Sequence, residues 1–105
     1  MPKFLMQVSK EGAKGLAQEG GSKRRQDVEK FFASVGGKLE ALYFAFGEID
    51  VFAIADFPDN ASAAAISLAA NAGGPVEVKA TVLITPEEMD QAAKKSQSLR
   101  PPATA

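Results

Sequence analysis

Lys38-Leu39-Glu40-Ala41-Leu42-Tyr43-Phe44-Ala45-Phe46-Gly47-Glu48-Ile49-Asp50-Val51-Phe52-Ala53-Ile54-Ala55-Asp56-Phe57 reads as two strands with a turn between them. From Lys38 to Phe46, strict alternation sends Leu39, Ala41, Tyr43 and Ala45 to one face. Lys38, Glu40, Leu42, Phe44 and Phe46 then go to the other. From Ile49 to Phe57, Val51, Ala53 and Ala55 oppose Asp50, Phe52, Ile54 and Asp56. Gly47-Glu48 is a tight connection, so the two runs predict an antiparallel hairpin. Pro58-Asp59-Asn60 stops the second strand and opens a turn.

The flanking segments complete the pattern. Upstream, Phe4, Met6 and Val8 alternate with Lys3, Leu5, Gln7 and Ser9, a strand with one wholly apolar face. Glu11 to Glu19 is a weak helix, because Gly12 and Gly15 each cost about 1 kcal/mol relative to Ala. Gly20-Gly21 breaks the chain, and Ser22 is placed to cap a helix from Lys23 to Val35. Its apolar stripe is Val28, Phe31, Phe32 and Val35, and Gly36-Gly37 ends it.

Downstream, Ala61 to Ala72 is an Ala-rich helix with Ser62 as its cap, ended by Gly73-Gly74-Pro75. Val76 to Thr85 alternates as a fourth strand. Thr85, Pro86 and Glu88 then form a capping box for a last helix, from Pro86 to about Ser96. The order β-α-β-β-α-β plus a helix predicts an α+β, ferredoxin-like domain over residues 1–96. Its four-stranded antiparallel sheet carries two helices on one face, and residues 97–105 form a tail.

Composition removes several classes of function. The 105 residues make one domain, with 46% hydrophobic and 24% charged residues, which is globular composition. Twelve Lys+Arg stand against 13 Asp+Glu, and this net charge of −1 argues against nucleic acid as a partner. There is no Cys and no His. Thiolate and imidazole metal sites, the Ser-His-Asp triad and disulfides are therefore excluded, and no cofactor is expected. The apolar run in residues 1–10 is far shorter than the roughly 20 residues of a membrane helix. It also lacks the features of a signal peptide. The expectation is a soluble, cytoplasmic protein with no membrane partner.

Sorting the strand residues by face locates the candidate site. The set under the helices is Phe4, Met6, Val8, Leu39, Ala41, Tyr43, Ala45, Val51, Ala53, Ala55, Val76, Val78, Ala80, Val82 and Ile84. The opposite, open face holds Leu5, Leu42, Phe44, Phe46, Phe52, Ile54 and Leu83. A contiguous apolar patch of that size calls for a cover. The same face of a second copy supplies one, giving an isologous homodimer of dimeric α/β-barrel type, or a higher homo-oligomer. Leu5, Leu42, Phe44, Ile54 and Leu83 are then interface residues. The last helix or the tail is the alternative cover.

Polar residues on the same face allow two readings. As rim residues they form cross-strand ion pairs. As pocket residues, Gln7, Glu40, Asp50, Lys79 and Thr81, with Phe52, line a cavity between two sheets for a small molecule, where Glu40, Asp50 or Lys79 is placed for proton transfer. Lys23-Arg24-Arg25 beside Gly20-Gly21 is an anion-site candidate, weighed against a simply solvated helix start.

Several segments together resemble one family. They are Met1-Pro2-Lys3-Phe4-Leu5, Glu19-Gly20-Gly21-Ser22-Lys23-Arg24-Arg25, Val28-Glu29, Gly36-Gly37-Lys38-Leu39-Glu40-Ala41, Tyr43-Phe44-Ala45-Phe46-Gly47 and Phe57-Pro58-Asp59-Asn60-Ala61-Ser62-Ala63-Ala64-Ala65. Over about residues 1–95 the chain resembles the GYD-domain proteins, small bacterial proteins of uncharacterised function. At the Gly-Tyr-Asp signature it reads Gly47-Glu48-Ile49-Asp50, with Gly47 and Asp50 as counterparts and no Tyr. The resemblance implies a ferredoxin-like fold of dimeric α/β-barrel type and no particular reaction. Besides a ligand-binding homo-oligomer, two further readings stand. One is a cofactor-independent enzyme, monooxygenase- or isomerase-like, by fold analogy alone. The other is a regulatory module docking through the charged helix at Lys23.

Overall fold

The computed structural model describes residues 1–10, 13–74 and 76–102. Glu11, Gly12 and Pro75, named above in the first helix and the turn before the fourth strand, lie outside the described residues, as do the last three residues of the tail. The elements are β1 (Lys3–Ser9), α1 (Ala13–Ala33), β2 (Lys38–Phe44), β3 (Val51–Asp56), α2 (Asn60–Gly73), β4 (Glu77–Leu83) and α3 (Pro86–Ser96). The strands form one antiparallel sheet in the order β2-β3-β1-β4. This is the ferredoxin-like α+β arrangement. The chain through α1 crosses from β1 over β3 to reach β2, and α2 crosses from β3 over β1 to reach β4.

Both helices pack on the face that carries Phe4 and Met6. Phe4, Met6, Phe32, Ala53, Ala55, Phe57, Ala63 and Ile66 form the core, with Val28, Val35, Leu39, Leu42 and Val78 packed around it. Three rings meet at its centre. Phe57 contacts Phe4 edge-on at 5.7 Å and Phe32 at 5.2 Å between ring centroids. Small Ala residues on β3 let the helices lie close to the sheet.

Glycine decides how β2 begins. Gly36 has φ +79°, the left-handed conformation that ends a helix at least cost. A β-carbon on Gly37 would stand 2.5 Å from the Phe57 ring and 2.9 Å from the Phe32 carbonyl oxygen, so only a hydrogen fits there.

Several local expectations are corrected. The break at Gly20-Gly21 is a kink inside α1, where Gly20 leaves helical geometry (φ 79°, ψ 172°) and the helix resumes. Val35 lies beyond the end of α1. The cap of α2 is Asp59 and not Ser62: the Asp59 carboxylate accepts the Ser62 backbone N–H at 2.7 Å. The hairpin connection is six residues, 45–50, closed by the Ala45 N–H donating to the Asp50 carbonyl at 2.8 Å. At α3 the capping box forms as read. Glu88 N–H donates to Thr85 Oγ1 at 3.1 Å, and Thr85 N–H donates to the Glu88 carboxylate at 3.0 Å.

The largest correction is in β2. Leu39 pairs with Ala55, but Ala41 pairs with Ile54, so Glu40 is an extra residue. Such a bulge places two residues opposite one and moves everything after it to the other face. Leu42 therefore pairs with Ala53 and Phe44 with Val51, on the helix side, while Ala41 and Tyr43 turn to the open side. Phe46 lies past the end of β2 and is fully exposed.

Candidate functional site: the open face of the sheet

Cross-strand register arranges the open face in three rows across the four strands. The first is Tyr43, Phe52, Gln7, Lys79, in the order β2-β3-β1-β4. The second is Ala41, Ile54, Leu5, Thr81, and the third runs Asp56, Lys3, Leu83 from β3 to β4, with the bulged Glu40 beside it. Among the described residues no helix lies over these rows. α1 and α2 pack on the other side, and α3 buries none of its residues. The last helix, offered as the alternative cover, buries no residue of its own, and Leu99 of the tail is 69% exposed.

Apolar side chains fill one diagonal of the grid: Tyr43, Phe52, Ala41, Ile54, Leu5 and Leu83. Tyr43 is 67% exposed, and the others are partly exposed. Alternation alone conceals Tyr43. The available signal was that the large apolar side chains of β2 recur at positions 39, 42 and 44, which only a bulge can put on one face.

The bottom row is an ion cluster spanning three strands. The Lys3 ammonium donates to Asp56 Oδ1 at 3.1 Å and to the Glu40 carboxylate. Hydrogen bonds to Glu40 and Asp56 raise the Lys3 pKa above its ordinary 10.5, against an opposing cost of desolvation. Glu40 is thus a partner of Lys3. This is the cross-strand pairing weighed against a pocket role.

The other pocket candidates separate. Gln7, Phe52, Lys79 and Thr81 are neighbours on the open face. Asp50 precedes β3, and its N–H donates to the Val8 carbonyl at 2.9 Å. It lines a different cleft of about 370 Å³ between α1 and the hairpin loop, with Leu16, Ala17, Gly21, Phe44, Ala45 and Phe46. A smaller cavity of about 190 Å³ lies under the helices, where Leu42 lines it with Met6, Val28, Phe32 and Ile66. Leu42 and Phe44, expected at the interface, therefore belong to the helix layer.

The basic run at the start of the helix is neutralised locally. Lys23 pairs with Asp27 at 2.6 Å, Arg24 with Glu19 at 3.6 Å and Arg25 with Glu29 at 3.2 Å. That is a solvated, mixed-sign helix face, the simpler of the two readings. Among the described residues no group of three or more acidic side chains is placed to hold a metal ion. No described helix is long and apolar enough to cross a membrane.

The edge of β4 is partly closed by a side chain. Asn71 of α2 accepts the Val78 N–H at 2.8 Å and donates to the Val78 carbonyl at 3.2 Å and the Ser67 carbonyl at 2.8 Å. It satisfies Val78 as a neighbouring strand would, which blunts the edge against further pairing.

With this geometry in place, comparison with known families is decisive. The GYD domain matches residues 4–93 of the 105. The chain belongs to the GYD domain family. No curated protein and no solved structure matches it. The GYD match runs from β1 into α3, so it includes the whole ferredoxin-like core and every residue named in the three rows of the open face except Lys3.

Proposed function

We propose that this GYD domain is a homo-oligomer whose unit is a pair of chains with their open sheet faces together, enclosing a site for a small molecule. The observation that carries the reading is the uncovered diagonal Tyr43–Phe52–Ile54–Leu5–Leu83, with Ala41 beside it. Apolar area removed from water stabilises by about 25 cal/mol per Å², and a second copy is the cover that a two-fold axis supplies without any new sequence.

The ligand class follows from the first row. Tyr43 and Phe52 offer ring faces, Gln7 an amide and Lys79 an ammonium. That set suits a small, flat molecule carrying an acidic group. The binding reading is favoured over the enzyme reading because no polar or charged residue is buried among the described residues. A proton-transfer group on this face would have to be desolvated entirely by the partner.

Sedimentation equilibrium of the full chain at micromolar concentration tests the assembly. A dimer or larger species is expected, and a single 11.0 kDa species overturns the reading. Thermal-shift screening of small aromatic carboxylates tests the ligand class. A hit lost in Lys79→Met supports the Lys79 role, whereas a hit that survives that change removes it.

A further inference from the structure

Among the described residues, nothing packs on α3 closely enough to bury a side chain of it. None of its 11 residues is buried, and Met89 is 54% exposed. Isolated helices this short are marginal in water, yet α3 is held by a complete capping box, Pro86 in its first turn, acids at its start and Lys94-Lys95 at its end. The structure thus holds a pre-formed helix outside the packed body, and the chain is elongated, 55 × 32 × 23 Å. Its surface is two-sided. With 3.6 residues per turn, Met89, Ala93 and Ser96 share a stripe, with Ala92 close beside it.

Charge decides what covers this stripe. Around the helix, Asp90 and Lys94 flank the stripe on one side, and Glu88 and Lys95 flank it on the other. When two such helices meet antiparallel about a two-fold axis, each flank meets its own copy. An axis at Ala92 places Asp90 opposite Lys94 of the second copy. Half a residue back, it places Glu88 opposite Lys95. Both flanks become complementary at nearly one centre, where Ala92 and Ala93 let the helices approach closely. A parallel pair would bring opposite flanks together, setting Glu88 beside Asp90 and Lys95 beside Lys94, like charge against like.

We infer that α3 pairs antiparallel with α3 of a second copy of this chain, through Met89, Ala92 and Ala93 and the reciprocal contacts Asp90–Lys94 and Glu88–Lys95. A pair of 11-residue helices buries less than the roughly 1,000 Å² that a stable interface needs alone. The pairing therefore adds to the sheet contact proposed above, and it rests on that reading for its partner.

A charge-exchange experiment on the full chain tests it. In Asp90→Lys, two copies set Lys against Lys; in Lys94→Asp, they set Asp against Asp. Each variant alone should self-associate about tenfold more weakly at low salt, since two symmetric contacts pass from attraction to repulsion. An equimolar mixture of the two should recover wild-type association, and the difference should shrink at about 0.5 M salt. Gln91→Lys, on the outer side, should change nothing.

Wild-type association in both variants overturns the inference, as does weakening that mixing fails to restore. The first result is also what a helix laid on its own chain, or on a different protein, would give. Ile54→Glu separates this from the sheet reading. If Ile54→Glu alone disrupts the assembly, the sheet contact stands and the α3 pair falls. If Ile54→Glu is inert while charge exchange works, the reverse holds.

Discussion

Tyr43 stands directly across from Phe52 in the β2–β3 ladder, on the side of the sheet that no helix covers among the described residues. It does so only because Glu40 is an extra residue in β2. The bulge also leaves Glu40 beside Lys3, so one irregularity builds both the aromatic pair of the open face and its ion cluster.

The bulge makes two neighbouring substitutions behave differently. Leu42 packs under the helices and Ile54 faces outward. Leu42→Glu should destabilise the fold by about 2 kcal/mol or more, because it puts an unpartnered carboxylate into the helix layer. Ile54→Glu should keep the wild-type far-UV spectrum and reduce the assembly to its single chain. Urea titration and sedimentation of both variants check this, and the reverse pattern would place β2 in unbroken alternation.

Among the described residues, Gly37 is the glycine with the least room for a side chain. Its added β-carbon would fall 2.5 Å and 2.6 Å from two Phe57 ring carbons, and Phe57 is itself fully buried. Gly37→Ala should cost about 1–3 kcal/mol through displacement of that ring. Gly47→Ala, with nothing within 4 Å, should be close to neutral. Denaturation midpoints for the pair give the comparison.

Asn71→Ala should remove the side chain that pairs with Val78 of β4. The expected loss is about 1–2 kcal/mol, since several hydrogen bonds go at once and water replaces part of them. Amide exchange at Val78 should accelerate more than at Met6, in the centre of the sheet. Equal protection in the variant and the wild type would show that Asn71 does not hold the edge.

Acid should weaken the protein through its helix caps. The Asp59 pKa is lowered from 3.8 by the Ser62 N–H, and that of Glu88 from 4.5 by the Thr85 N–H. Hydrogen bonds to Lys23 lower Asp27, and those to Lys10 lower Glu77. A carboxylate whose folded pKa lies below its unfolded one contributes fully above the unfolded value. The contribution is lost as pH falls through the folded one. Melting temperature should therefore hold steady above about pH 5 and decline below about pH 4. Asp59→Asn, which keeps a capping acceptor, should flatten part of that decline, and an unchanged pH profile in that variant would remove Asp59 from the account.

Much of this was legible in the chain itself. Pro86 after Thr85, with Glu88 three residues beyond the cap, fixes α3 because those contacts are made between near neighbours. The alternation of β1 and β3 fixes which of their side chains face the helices, because a strand without a bulge has a period of two. The order of elements then limits the sheet to few arrangements. What tertiary structure alone decided is the register of β2. The spacing of Leu39, Leu42 and Phe44 hints at a bulge, but whether Glu40 is the residue left over depends on which residue of β3 lies opposite, a contact between strands. That one slip carried Leu42 and Phe44 inward and Tyr43 outward, so the sequence determined that the sheet has an apolar open face, and the fold determined which residues compose it.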